Sequence, residues 1–357
     1  MATNTESIVG AEPRLLSTTW LISEKDDLVW IIGSVAASYA LLVLYAGGWL
    51  PLAVMVGCWA VLIDGPHVFG TISRTYLDRS EWHARRRLLL GSLLFFLVGP
   101  LLLLAGYGIE FFFFAALWAY YHLVKQHYGF MVLYKKKNGD LERVDNTLDR
   151  ALLLAAFSCP FIAYIARDPD AMTHVPQILR PTVNTLYMAV LALTLAFLLA
   201  WLARQVQRAI TGRPLNLPKY LLLAAAIPMH WFALLTPMPY KTIALVPILT
   251  TYHNLQYHRL IWFHNRKYSG ESAREQFGAA ATVSRNLIVY AGFALLFGII
   301  YQGPRQYILA LELRHPASWT VFATAFLWGI AFNHYYLDSK IWRVRRDPSV
   351  GKALKME

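Results

Sequence analysis

The sequence predicts an all-α protein: a polytopic transmembrane bundle of about ten spans with both termini in the cytoplasm. Three observations carry this reading. Of 357 residues, 57% are hydrophobic and only 15% charged, too little polar surface to cover a soluble domain of this size. The apolar residues form continuous runs of roughly 20, the length needed to cross a bilayer core of about 30 Å, without the alternation of a β-barrel. Lys and Arg gather in every second connection between the runs.

The runs cover about 28–48, 50–72, 88–107, 109–134, 147–166, 182–203, 219–237, 241–262, 285–302 and 317–338. Turn signals mark several boundaries: Gly47-Gly48, Gly106 with Gly108, Pro237 with Pro239, and Gly303-Pro304. Short connections predict antiparallel neighbours. The segments 1–27, 74–87, 135–150, 204–219, 259–285 and 340–355 hold 27 Lys and Arg, whereas the opposite connections hold five: Arg167, Arg180, Lys241, Arg305 and Arg314. This asymmetry orients the chain and requires an even number of spans. The organisation is a cytoplasmic N-terminal segment (1–27), a transmembrane metal-site domain (28–338) and a basic cytoplasmic tail (339–357), in an inner or cytoplasmic membrane.

The net charge of +12 does not argue for nucleic acid, because the charges are dispersed among loops between apolar spans. Cys58 and Cys159 both lie inside apolar runs, so neither a disulfide framework nor a zinc-type pair is available. Residues 1–27 mix Arg14 and Lys25 with five acidic residues and lack the layout of a cleavable signal peptide. Trp20 and Leu21 are expected at the membrane interface. The chain shows no internal repeat and no low-complexity linker.

The candidate chemistry lies at the inner ends of the even-numbered spans. These read DGPH (Asp64 to His67), HLVKQH (His122 to His127), HNLQYH (His253 to His258) and NHYYLD (Asn333 to Asp338). His67, His253 and His334 lie about 9–11 Å along their helices before the next basic residue, with His122 and His127 deeper. One layer near the cytoplasmic face can therefore collect side chains from four helices. A single membrane histidine is most simply a helix-to-helix hydrogen-bonding group. Six in one layer point to a metal, for which neutral imidazole is the commonest ligand. Ionisable groups at that depth face the bundle interior or a cavity.

The five-residue step within HLVKQH and HNLQYH turns the paired rings about 140° apart on a straight helix. Such a pair straddles a site or ligates two neighbouring ions, unless a π-bulge brings both rings to one face. The i,i+4 partners are His122 with Gln126, Asn254 with His258, and His334 with Asp338. Asp338 is expected as a ligand, as the acceptor that orients His334, or as a surface partner of Lys340 or Arg343. Asp64 either serves His67 or caps the Gly65-Pro66 break. His83 and His264, in basic loops, either complete the site from above or are solvated. His174 and His315 in outer loops, and His230 in the outer half of the seventh span, are expected to stand apart. Lys125 is expected to snorkel to the surface. The run Phe111 to Phe114 is expected to be lipid-facing or core. The aromatic residues around the motifs read as an interfacial belt or as a hydrocarbon channel.

Nitrogen ligands with an occasional carboxylate suit iron, copper or zinc rather than magnesium or calcium. Here the chain resembles the membrane histidine-box oxygenases, namely fatty-acid desaturases, fatty-acid hydroxylases and alkane hydroxylases, with HLVKQH and HNLQYH similar to their first type of box. That resemblance implies two irons that activate oxygen at the cytoplasmic face. The chain lacks a box with two adjacent histidines, and ten spans exceed that group's usual number. The isolated His67 and His334 are more similar to the membrane carotene-cleaving oxygenases, where histidines on several spans hold one iron. The expected function is oxygen-dependent hydroxylation, desaturation or cleavage of a lipid or other apolar molecule, with an electron donor on the cytoplasmic side. The donors, His67, His122, His127, His253, His258 and His334 with Asp64 and Asp338 in reserve, suffice for two iron ions and are generous for one. Two other classes compete: a haem-binding electron-transfer protein with axial imidazoles from two spans, and a proton or metal transporter, which usually places its site at the midplane between related halves.

Overall fold

The computed structural model describes residues 15–314, 318–344 and 347–356. Ten long helices follow the ten expected runs: α1 (Glu24–Ala46), α2 (Leu52–Thr75), α3 (Arg79–Leu104), α4 (Gly108–Lys137), α5 (Arg143–Arg167), α6 (Val183–Ile210), α7 (Leu217–Leu235), α8 (Lys241–His264), α9 (Leu287–Arg314) and α10 (Ser318–Ile341). Among the described residues the only strand pairing is a two-residue parallel bridge, Leu16–Ser17 with Leu215–Asn216.

Seven of these helices, α1, α2, α3, α5, α6, α7 and α9, are long and apolar enough to cross a membrane. The other three are α4, α8 and α10, which carry five of the six candidate histidines. Their polar residues, such as His122 with Gln126 and Asn333 with His334, dilute the apolar stretch that the seven others keep. The candidate site and the weaker hydropathy therefore have one cause.

Side-chain pairings fix the relative directions of the helices. From α2 to α10, His67 meets His334, Thr71 meets Asp338, and Arg74 meets the Ile341 carbonyl, so the two run parallel. On α8, His253 packs on His67, Tyr257 bonds Thr71, and His264 packs on Trp342, so α8 runs the same way. Trp118 and His122 of α4 stack in turn on Phe332 and Tyr335 of α10, again parallel. Odd-numbered neighbours run oppositely: Asp64 bonds Gln302 while Phe69 packs on Tyr290, which makes α9 antiparallel to α2. The four helices that carry the six candidate histidines thus point in one direction.

Close helix crossings depend on small residues, as is common where packing rather than hydrophobic expulsion drives association. Gly65 of α2 lies against Gly298 of α9 so closely that a Cβ on either would collide with the other helix's backbone, and Gly329 of α10 does the same against Phe96 of α3. Asp78 caps α3 by accepting from the Ser80 and Glu81 amides at 2.9 and 3.2 Å, and Asn216 caps α7 through the Lys219 amide at 3.2 Å. Between α7 and α8, Tyr240 takes the left-handed conformation, φ 44°, where the Pro237-Met238-Pro239 turn leaves the chain few alternatives.

Several expectations change. Gly303-Pro304 does not end α9; the helix runs to Arg314. Proline removes one backbone donor, and side chains reinforce the turn around it: Arg305 donates to Tyr301 and Gln306 to Gln302, each at 3.3 Å. Leu21 is buried in the main core rather than lying at an interface, because Asp27 accepts the Leu21 and Ile22 amides and folds the segment inward. The described tail also folds back, with Val350 and Leu354 buried in that core. Lys135, Arg208 and Lys219, which the sequence places among connecting charges, are buried in one network. Lys219 pairs with Asp140 at 2.7 Å and Asp149 at 3.1 Å, Arg208 with Asp140 and Asp145 at 2.6 and 2.9 Å, and Lys135 with Asp149. These pairs lock α4 to α7 at one end of the bundle.

Candidate metal centre

The site begins on α2. Its regular hydrogen bonding widens to a π-turn over Ala60–Asp64 and returns to α-helix at Gly65. Such wide turns mark functional positions in many helices. The last turns then present His67, Thr71 and Arg74 on one stripe, at i, i+4 and i+7, and all three are buried. The facing stripe on α10 is His334, Asp338 and Ile341.

His67, His122 and His334 each offer a nitrogen within 4.8 Å of the others'. The Nε2 atoms of His67 and His334 are 2.9 Å apart. The His253 ring packs 4.9 Å from that of His67 and 5.0 Å from that of His122, and His122 lies 5.0 Å from His334. Four imidazoles from four parallel helices therefore meet at one point. Among the described residues, His67 Nδ1, His122 Nε2 and His253 Nδ1 are buried with no hydrogen-bond partner. Buried polar atoms are nearly always satisfied, so the open His122 Nε2 and His253 Nδ1 call for a ligand of their own, while the open nitrogen of His67 is not the one that faces His334.

The second row of residues fixes the tautomer of His334. Thr71 Oγ1 donates to Asp338 Oδ1 at 2.7 Å and lies 2.8 Å from His334 Nδ1. A hydroxyl has one proton. Once it goes to the carboxylate, His334 Nδ1–H must be the donor to Thr71, and the Nε2 lone pair stays free. Tyr257 donates to Asp338 Oδ1 at 3.0 Å and completes the relay. Asp338 Oδ2 lies 3.8 Å from His334 Nε2. Asp338 thus sits where an acceptor that orients His334 belongs, not in a surface pair; Arg343 instead donates to the Ser339 carbonyl.

The remaining candidates divide. The His258 ring is 6.2 Å from that of His67, but its Nε2 is 3.1 Å from the Ile63 carbonyl, to which it donates. His258 therefore braces the π-turn from the edge of the cluster. Asp64 neither serves His67 nor caps the helix: it accepts from Gln302 at 2.5 Å and Asn254 at 3.4 Å. Its carboxylate is thus shared between α9 and α8. His127 is on another face of α4 from His122, as the five-residue step requires, and packs 5.7 Å from His230. His230, expected to stand apart, is buried; the signal was available in its polarity on an otherwise apolar helix. His83 and His174 are exposed. His264 is buried beside Trp342, 5.5 Å ring to ring, and His315 lies outside the described residues. Lys125 is exposed, with its ammonium 4.9 Å over the Tyr128 ring. Phe111 is core and Phe114 is 54% exposed.

Sequence reading did not find Thr71. A threonine one turn from the end of an apolar helix carries no distinctive pattern, and only the parallel packing of α2 on α10 reveals its place between His334 and Asp338.

Comparison with protein-family models, with curated proteins and with solved structures found no match. The geometry alone must carry the functional reading.

Proposed function

We propose that this chain is a membrane-embedded non-haem metal oxidoreductase that uses oxygen to hydroxylate, desaturate or cleave a lipid or other apolar molecule. His67, His122 and His334 hold an iron ion and His253 adds a fourth nitrogen. The carrying observation is the three buried imidazoles whose nitrogens lie within 4.8 Å of one another. Ligands about 2.1 Å from a common ion stand about 3.0 Å apart when they meet at a right angle and about 3.4 Å apart in a tetrahedron. The 2.9 Å between His67 and His334 is close to both spacings, and the all-imidazole donor set suits iron, copper or zinc.

The iron supplies oxygen activation. The chain's own groups do the rest. Thr71 and Asp338 hold His334 in the ligating tautomer. Tyr257 and Asp338 form a proton-holding pair beside the cluster. Aromatic rings lead from the outer surface to His122: Phe114 packs 5.7 Å from Trp118, Trp118 6.1 Å from Tyr335, and Tyr335 stacks on His122 at 4.4 Å. Such apolar surroundings suit a hydrocarbon substrate and keep water from the cluster.

The four parallel histidine helices and the charge asymmetry support ten spans, cytoplasmic termini and a site near the cytoplasmic face, where an electron donor would meet the basic loops. The haem reading is disfavoured, because axial imidazoles stand on opposite sides of a macrocycle, whereas these Nε2 atoms face each other with no room for one.

The test is elemental analysis and a visible spectrum of the full chain purified in mild detergent, with lipid mass spectrometry of cells expressing it or His334→Ala. Iron without a Soret band, and an oxidised lipid lost in the variant, are expected. Purified protein without metal, or with a haem spectrum, overturns the reading.

A further inference from the structure

A second pair of histidines lies outside the first cluster. His127 Nδ1 is 2.9 Å from the Leu123 carbonyl one turn back. A carbonyl only accepts, so Nδ1 carries the proton and Nε2 bears a free lone pair. That Nε2 is buried and has no hydrogen-bond partner. His230 Nδ1 is 3.1 Å from the Tyr120 hydroxyl, whose own proton goes to the Phe157 carbonyl at 2.8 Å. His230 Nδ1–H is therefore the donor to Tyr120, and its Nε2 is bare as well.

The two rings stand 5.7 Å apart at 88°. Both residues are only 1% exposed. Phe157 packs against both, and Tyr252 against His127. Two acceptors cannot satisfy each other, and the aromatic walls offer no donor to His127 Nε2. An imidazole anchored through Nδ1–H to a carbonyl or hydroxyl, with Nε2 open, is the arrangement that metal-ligating histidines adopt.

We propose that His127 and His230 form a second metal site, for a divalent first-row ion that imidazole suits, with Tyr120 as the positioning residue for His230. The proposal rests on the first centre only for the total count of ions.

The test is uptake of Co(II) by the full-length protein, stripped with chelator in detergent and followed by elemental analysis after gel filtration. The wild type should take two equivalents. His127→Ala and His230→Gln should each take one, and His334→Ala should keep one. Tyr120→Phe, which removes only the hydroxyl, should weaken the second equivalent about 10–100-fold while leaving the first equivalent unchanged. One equivalent that is lost in His334→Ala and retained in His230→Gln and Tyr120→Phe overturns the second site and leaves the pair to a water. One equivalent that is lost in His127→Ala and retained in His334→Ala upholds it and overturns the first centre instead. No uptake overturns both.

Discussion

The Nε2 atoms of His67 and His334 face each other across 2.9 Å, and only one of them can carry a proton. Thr71 decides which. Its hydroxyl is committed to Asp338, so His334 keeps its proton on Nδ1 and presents a bare Nε2 to His67. Without a metal, that leaves His67 to donate from Nε2 and to bury an unpartnered Nδ1. With a metal, both Nε2 lone pairs would be used and the His67 proton would sit on Nδ1, which has no partner in either state.

Thr71→Val keeps the shape of the side chain and removes the relay. Outer partners of this kind are worth about 10–100-fold in metal affinity. The variant should hold its ion that much more weakly, measured by competition with a graded chelator, with its helical circular dichroism unchanged. Wild-type affinity in Thr71→Val would mean that the tautomer of His334 is set some other way.

Removal of single imidazoles should separate the cluster from the surface. His122→Ala and His334→Ala should lose the ion of the first centre. His83→Ala and His174→Ala should keep it, since both side chains are exposed and outside the cluster. Metal content at matched expression decides this. Loss of the ion in His83→Ala would show that the loop completes the site.

The helices and their order were legible in the sequence because apolar runs of bilayer length have few other uses. The same runs hid the site's finer structure. His67, His253 and His334 were readable as polar groups at one depth, with His122 somewhat deeper, and the charge alternation gave their common direction. The divergence of His127 followed from its five-residue spacing. What pattern could not show was contact between distant segments: Thr71 against Asp338, His230 against His127, Lys219 inside a carboxylate cluster. Asp64 misled because its partners, Gln302 and Asn254, lie on distant segments that no local pattern shows.

Asp78 ties the α2–α3 connection to the end of α8. It caps α3 and accepts from Lys267 at 3.0 Å and Tyr268 at 2.9 Å. Burial pushes the Lys267 ammonium pKa down, and Asp78 opposes that shift. Asp78→Ala removes the cap and leaves Lys267 without this partner, at a cost of about 2 kcal/mol for the cap at the upper end and more for the lost pair. A clear fall in the thermal midpoint in detergent is expected. A midpoint within error of wild type would mean the connection is held elsewhere.

Two glycines on α9 give the sharpest contrast. A Cβ on Gly298 would collide with the Val61 carbonyl and press on Pro66, whereas a Cβ on Gly292 meets nothing within 4 Å. The chemical change to alanine is the same, and both positions are helical. Gly292→Ala should be neutral or stabilising by up to about 1 kcal/mol, the helix-propensity gain. Gly298→Ala should destabilise by about 1–3 kcal/mol, because an overpacked crossing must open. Opening it shifts α2 at the π-turn, one turn before His67. Gly298→Ala should therefore also weaken metal binding, while Gly292→Ala leaves it untouched. Thermal midpoints and chelator competition on the two variants read both effects. Equal behaviour of the two would show that α9 does not set the position of His67.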